Sequence, residues 1–385
     1  MTLESRAAAI DAVELTRDLI RRPSVTPADA GAMAIVEEML SSLGFVCRRM
    51  RFGEIENLYA RYGAVRPNLC FAGHTDVVPV GDAAAWTKDA FGAEVVDGVL
   101  IGRGAVDMKS AIAAFAAASA EAIAAGKVTG SISFLITGDE EGVATHGTKL
   151  VVEALAAEGE IIDHCVVGEP TSSETFGDMV KVGRRGSINA EIVVEGIQGH
   201  VAYPHRAANP APVLIKLLAA LQARKLDDGY AEFQPSNLEV TWIDMPNTAT
   251  NVIPGVARAR LNIRFNPNHT GQALADWFNI EASKVAQDFK GKVTVTPQIS
   301  GEAFLTERGP FTDLVAAAVA DVTGAAPELS TSGGTSDARF IRALCPVIEV
   351  GLVGKTMHQV DERAPVEEIR TLQKVYSRII ARYFG

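Results

Sequence analysis

Thiols are sparse in this chain and poorly placed for joint chemistry. The four cysteines, Cys47, Cys70, Cys165 and Cys345, are scattered over 385 residues with no C-x-x-C, so neither a thiolate metal knuckle nor a vicinal redox pair is expected. Three lie in apolar runs and read as buried free thiols of a reducing cytoplasm. No stretch approaches the ~20 consecutive apolar residues of a membrane span. The alanine-rich segment Ala111 to Ala125 is interrupted by Ser119 and Glu121. Residues Met1 to Ala8 include Glu4 and Arg6 and lack the apolar centre of a secretion signal. A cytoplasmic protein without a membrane partner is therefore expected. Positive charge is in deficit, with 36 Lys and Arg against 47 Asp and Glu and a net charge of −11, which speaks against a nucleic-acid partner. No G-x-S-x-G is present, which argues against a serine hydrolase. Low-complexity tracts and internal repeats are also missing.

What is present is a globular composition, 48% hydrophobic and 22% charged. The length exceeds that of one ordinary core, so two domains are expected. Helical periodicity covers Ala9 to Arg21, Ala30 to Leu43, Asp107 to Ala125 and Thr148 to Ala157. Apolar strands are expected over Leu58 to Tyr62, Leu69 to Ala72, Ser131 to Thr137 and His164 to Val167. That alternation implies an α/β fold with a mainly parallel mixed sheet and helices on both faces. Near Lys181 the pattern changes to strand Ser187 to Glu195, helix Pro210 to Ala223 and strands Leu238 to Ile243 and Val256 to Phe265. Helix Thr270 to Gln287 and strand Lys292 to Pro297 complete a β-α-β-β-α-β order, that of a ferredoxin-like α+β domain. The first pattern then returns with helix Phe311 to Val322, strand Pro346 to Val350 and helix Val366 to Tyr383. The expected division is residues 1–181 and 299–385 for the larger domain, with 182–298 inserted.

Acids and histidines cluster at the ends of the apolar strands. In Gly73-His74-Thr75-Asp76-Val77-Val78-Pro79, a two-residue spacing on a strand places His74 and Asp76 on one face. The imidazole can then bind a metal while the carboxylate orients it, or the pair can be two satisfied polar groups at a strand end. In Gly102-Arg103-Gly104-Ala105-Val106-Asp107-Met108-Lys109, Asp107 stands where a helix begins. It reads either as an N-cap or as a carboxylate bridging two cations. The glycines do not form G-x-G-x-x-G after a strand, so a dinucleotide site is not expected. Asp139-Glu140-Glu141 follows the strand ending at Thr137, and three crowded acids favour a cation unless they form a solvated turn. Neighbours on an extended chain point apart, so one glutamate can ligate while the other holds a water proton. Glu169 repeats the layout after its own strand, and His358 lies beyond Pro346 to Val350. In an open α/β sheet the crevice outside the strand carboxyl ends is where ligands bind. His74, Asp107, Glu141, Glu169 and His358 together offer two imidazoles and three carboxylates. That donor set suits two Zn²⁺ ions, with Co²⁺ or Mn²⁺ as substitutes.

These segments resemble the M20 family of co-catalytic zinc metallopeptidases over essentially the whole chain. Further matching motifs are Gly183-Arg184-Arg185-Gly186-Ser187, Gly199-His200-Val201-Ala202-Tyr203-Pro204-His205 and Gly333-Gly334-Thr335-Ser336-Asp337-Ala338-Arg339. Asp361 departs from the asparagine expected of relatives. The resemblance implies hydrolysis of an amide in a small carboxylate-bearing substrate. The Arg184-Arg185 segment and the Gly334-Thr335 loop favour members that remove a succinyl group from an amino-acid amine, with deacetylating members as the alternative. By resemblance, His74 and Glu169 would bind one zinc, Glu141 and His358 the other, and Asp107 would bridge. Asp76 would orient His74, and Glu140 would be general base and then acid. The inserted domain would form a homodimer, with His200 reaching the partner subunit's site or else serving only as a loop histidine near Pro204. Arg184, Asn251, Arg264, Gly334 and Thr335 would contact substrate.

Overall fold

A computed structural model of the chain describes residues 10–385. It divides into two compact units. The first holds the chain up to Val182, Thr306–Ser330 and Ser336–Gly385; the second holds Gly183–Leu305 and Thr331–Thr335. The second unit therefore begins at the expected residue within one position, ends later than 298, and takes in a short loop from the returning chain.

The first unit is built on an eight-stranded mixed sheet. Its centre is parallel: Asn68–His74 pairs with Ser131–Thr137 on one side and His164–Val167 on the other, and His164–Val167 pairs with Val347–Glu349. Every residue of Asn68–His74 and Ser131–Thr137 is buried, as parallel strands covered on both faces require. Register places His74 opposite Thr137 and Ala72 opposite Val167. Three neighbouring strands thus release their chains at one edge of the sheet, each just before an acid or histidine.

Helix Lys109–Ala124 packs on Asn68–His74 and against helices Ala12–Ile20 and Val366–Phe384. It is apolar all round, with 13 buried residues, which is the pattern of an internal helix. Its alanines permit close approach, and Phe115 stacks on Phe71 at 4.6 Å while meeting Tyr376 and Phe134 edge-on. Such ring pairs contribute about 0.5–1.5 kcal/mol each beyond area burial. Ile132, Phe134 and Ile136 join this core, and the opposite face of the strand receives helix Thr148–Ala157. The helix expected over Ala9 to Arg21 is observed as Ala12–Ile20, and Ala9 lies outside the described residues.

Strand Val46–Phe52, which forms the sheet edge as a hairpin with Ile55–Tyr62, was not expected. Its sequence VCRRMRF has no clean alternation. The edge position explains this, because Arg48 and Arg49 are held by Glu158 and Glu37 at the rim. Also unexpected is a small sheet of Glu94–Val96, Val99–Ile101 and Arg363–Pro365.

In the second unit four antiparallel strands run in the order Asn237–Asp244, Val256–Phe265, Gly186–Glu195, Lys292–Gly301. With helices Pro210–Ala223 and Gly271–Ala286 this is the ferredoxin-like arrangement. Ile188, Ile192, Leu214, Leu217, Leu261, Ile263 and Phe278 form its core. The last strand continues past Pro297 to Gly301. Proline did not end it because the strand is at the sheet edge, where a missing N–H is tolerated.

Candidate metal centre

His74 closes its strand and is 1% exposed. Its Nδ1 donates to the Asp76 carbonyl at 2.9 Å. That bond fixes the ring and turns Nε2 toward two carboxylates, Asp107 Oδ1 at 3.1 Å and Glu169 Oε1 at 3.6 Å. Burial disfavours the imidazolium, yet Asp107, Glu169 and Asp76 more than compensate and raise its pKa. On the other side of Asp107, His358 Nε2 stands 3.4 Å from Oδ2 and 2.9 Å from Glu141 Oε1. Hydrogen bonds to Asp107 and Glu141 push His358 up to about 10. Burial would raise the Asp107 pKa, but the two imidazoles hold it well below the usual carboxylate range.

The two oxygens of Asp107 therefore each face one histidine. Donor atoms sharing a tetrahedral ion at about 2.0–2.1 Å lie roughly 3.3 Å apart, and the four contacts span 2.9–3.6 Å. Ligand atoms of His74, Asp107 and Glu141 lie within 4.8 Å of one another, as do those of His74, Glu140 and Glu169. The donor set fits a pair of divalent cations. Among the sequence candidates, all five expected ligands and Glu140 come together in the first unit.

Of the two readings of Asp107, the N-cap is excluded: the cap position is Met108, with no side-chain cap bond. Two local expectations need correction. Asp76 does not orient His74 through a carboxylate on the same strand face, because the strand has already ended at His74. Its carbonyl does so, while its carboxylate, 3.7 Å from Nδ1, accepts the backbone N–H groups of Glu140 at 3.2 Å and Glu141 at 3.0 Å. Burial pushes Asp76 up to about 6 against the opposing pull of His74 and these bonds. The three acids are not one crowded group either. Asp139 turns away and accepts from the N–H groups of Ala144, Thr145 and His146, which shapes the loop. Glu140 is left facing the site, where burial raises its pKa and the nearby Asp337, Glu141 and Asp107 add to this against His74. Glu169 is raised likewise, by burial first and then by Asp107 and Glu140.

The remaining candidates belong to the second unit. Arg184 is buried, and its Nη1 donates to the Ser332 carbonyl at 3.3 Å. Gly333 has φ +101°, and a Cβ there would lie 2.5 Å from that same Nη1, so the loop carrying exposed Gly334 and half-buried Thr335 needs glycine at this point. Arg264 is half-buried on Val256–Phe265, and its Nη1 has no hydrogen-bond partner. Burial and the neighbouring Arg185 lower its pKa. His200 pairs with Val252 in a two-stranded ribbon, and its Nδ1 accepts from the Ala202 N–H at 3.0 Å. Exposed Asn251 accepts the Val201 N–H at its carbonyl.

Sequence reasoning missed Arg103 and Glu362, 2% and 0% exposed. They form a buried ion pair of 2.8 Å beside the Asp107 loop. In sequence, Asp361-Glu362-Arg363 looks like a solvated charged run, and only its nearness to His358 could have drawn notice. Asp361, the departure from the family pattern, is pinned to Thr87: its Oδ1 accepts the Thr87 N–H at 2.8 Å and hydroxyl at 3.1 Å. No helix of the described residues is long and apolar enough to cross a membrane.

Residues 70–382 match the model of peptidase family M20/M25/M40. A succinyl-diaminopimelate desuccinylase of Phenylobacterium zucineum is 86% identical over 379 residues, 98% of this chain and all of that protein. Among solved structures, an M20 family metallo-carboxypeptidase from Sulfolobus solfataricus superposes with a TM-score of 0.81 at 16% identity, over 97% of this chain and 99% of that one. A dinuclear metal-binding M20 peptidase of Bacillus subtilis gives 0.71 at 14% identity, over 98% of both chains.

Proposed function

This chain belongs to peptidase family M20/M25/M40, and on that premise we propose that it cleaves N-succinyl-LL-2,6-diaminopimelate to LL-2,6-diaminopimelate and succinate, a step toward diaminopimelate and lysine. The observation that carries the reading is the convergence of His74, Asp107, Glu141, Glu169 and His358 at one sheet edge. The substrate follows from the named relative at 86% identity. In this reading His74 and Glu169 would hold one zinc ion, Glu141 and His358 would hold a second, and Asp107 would contribute to both. Cobalt or manganese can replace zinc with the same donors. When bound, the ions supply Lewis acidity toward a water and an amide carbonyl.

The protein's own groups do the rest. Glu140 takes a proton from the attacking water and returns it to the leaving amine, which general acid–base catalysis makes worth roughly 10²–10⁴ in rate. A Glu140 pKa raised by its surroundings suits a group that must both accept and give back that proton. Asp76 holds the Glu140–Glu141 backbone in place. Arg184, Asn251, Arg264, Gly334 and Thr335 grip the substrate carboxylates, and guanidinium forks suit that task. We place the enzyme in the cytoplasm as a homodimer joined through the second unit, with neither nucleic-acid nor membrane partners. His200 then serves the partner subunit's site as an oxyanion donor.

The test is a side-by-side measurement of kcat/KM on N-succinyl-LL-2,6-diaminopimelate and N-acetylornithine with the metal-loaded enzyme. A preference of several orders of magnitude for the succinyl substrate is expected. Equal or reversed values would make the chain a deacetylase of the same family.

A further inference from the structure

The deepest-buried carboxylate near the site belongs to a residue with no ligand role. Glu362 is 0% exposed, and each of its oxygens accepts two hydrogen bonds. Oε1 takes the N–H groups of Val106 at 2.8 Å and Asp107 at 3.1 Å. Oε2 takes Arg103 Nη1 at 2.8 Å and the Gly104 N–H at 3.1 Å. The same residue's carbonyl accepts the Gly102 N–H at 2.9 Å. Just beyond it, Arg363–Pro365 pairs with Val99–Ile101, with Arg363 opposite Ile101. Two segments some 255 residues apart are thereby joined, and each carries one of the two groups that meet at 3.4 Å, Asp107 and His358.

A buried carboxylate is unfavourable unless fully hydrogen-bonded, and here four donors converge on it. One of the four is the backbone N–H of Asp107 itself. Between Glu362 and His358 the chain passes through two left-handed residues, His358 at φ 60° and Asp361 at φ 55°. Non-glycine residues hold such conformations when the surroundings over-determine them. Asp361 is pinned to Thr87 and Glu362 to the Asp107 loop, so the C-terminal end of this strained segment is fixed at two successive residues. Arg103 completes the frame: its Nη2 donates to the Pro79 carbonyl at 3.2 Å, and its guanidinium lies 5.3 Å over the Trp86 ring.

We infer that Glu362, braced by Arg103, is a positioning residue that sets the separation of Asp107 and His358 and thereby forms the cation subsite of Asp107, Glu141 and His358. The inference rests on the metal-centre reading given above. Glutamine cannot substitute, because one of its two terminal atoms is a donor and every partner here is already a donor. Aspartate keeps the charge but loses the reach of one methylene.

The experiment is a calorimetric Zn²⁺ titration of chelator-stripped wild-type and Glu362→Gln protein, with the folded fraction of each fixed by circular dichroism. Visible absorption spectra of the Co²⁺-loaded proteins accompany it. Loss of an outer partner of this kind weakens metal binding about 10- to 100-fold. The folded variant is expected to bind at least one ion weaker by that factor, with altered Co²⁺ bands. A folded variant that takes up two ions at wild-type affinity with unchanged bands would show Glu362 to be a fold-stabilising residue only and overturn the inference. Should Glu362→Gln fail to fold, Glu362→Asp is judged by the same two criteria. A wild-type protein that bound fewer than two ions would instead refute the metal-centre reading, so the two failures are distinguishable.

Discussion

Asp76→Asn separates two accounts of how this site is held. If the Asp76 carboxylate oriented His74, the substitution would weaken the subsite of His74 and Glu169. The structure gives that task to the Asp76 carbonyl, which the substitution leaves intact. The carboxylate instead accepts the N–H groups of Glu140 at 3.2 Å and Glu141 at 3.0 Å, at a residue 1% exposed. Asparagine retains one acceptor and sets its amide donor against the other N–H. Losing one hydrogen bond to a buried charge costs about 1.5–3 kcal/mol, or about 10- to 150-fold in an equilibrium constant. That loss falls on the turn carrying Glu140 and Glu141. The assay is a Zn²⁺ titration of Asp76→Asn in two single-subsite backgrounds, as in a double-mutant cycle. In His74→Ala, where Glu141 and His358 remain, affinity should fall by about 10- to 150-fold. In His358→Ala, where His74 and Glu169 remain, it should change by less than about threefold. The reverse pattern would refute the reasoning.

Glu140→Gln should lower kcat by about 10²- to 10⁴-fold with two ions still bound in a calorimetric titration; near-normal turnover would remove Glu140 as the proton carrier. Arg264→Lys should raise KM for the succinylated substrate about 10-fold, the loss of one charged hydrogen bond, with kcat little changed; an unaltered KM would place the substrate carboxylate elsewhere. Asp227 supplies a pH test of the second unit. Burial opposes its charge, but hydrogen bonds from Ser236, Gly229 and Asn266 prevail and lower it from 3.8 to about 2. Because the folded value lies below the unfolded one, its contribution is full above about pH 4 and disappears as pH falls through 2. Denaturant unfolding of Asp227→Asn should show lower stability than wild type at pH 7 and a gap that closes toward pH 2; a gap independent of pH would contradict this.

Much of the fold was legible because burial and periodicity agree. The strands Asn68–His74 and Ser131–Thr137 are mainly apolar and buried on both faces, and the ligands lie at or just past the ends of such strands. What sequence could not convey was side-chain direction once a strand ends. Asp76 reads as a strand neighbour of His74, yet two residues past the strand end its carboxylate swings to another loop's N–H groups. Asp107 reads equally as a cap or a ligand, because helices begin near acids, and only the fold shows that two distant histidines face it. Glu362 was invisible because three of its four partners are backbone N–H groups across some 255 residues, and no local pattern signals a buried acid satisfied that way. Strand Val46–Phe52 was hidden for a related reason: an edge strand with paired arginines needs no alternation.

The central claim is that five side chains hold two cations with Asp107 shared. Anomalous diffraction at the zinc edge, from crystals of the zinc-loaded protein, tests it most directly. The account requires two peaks about 3.5–4 Å apart, one between His74 and Glu169 and one between Glu141 and His358, each touching a different oxygen of Asp107. A single peak, or two peaks that leave Asp107 or His358 unligated, would contradict it.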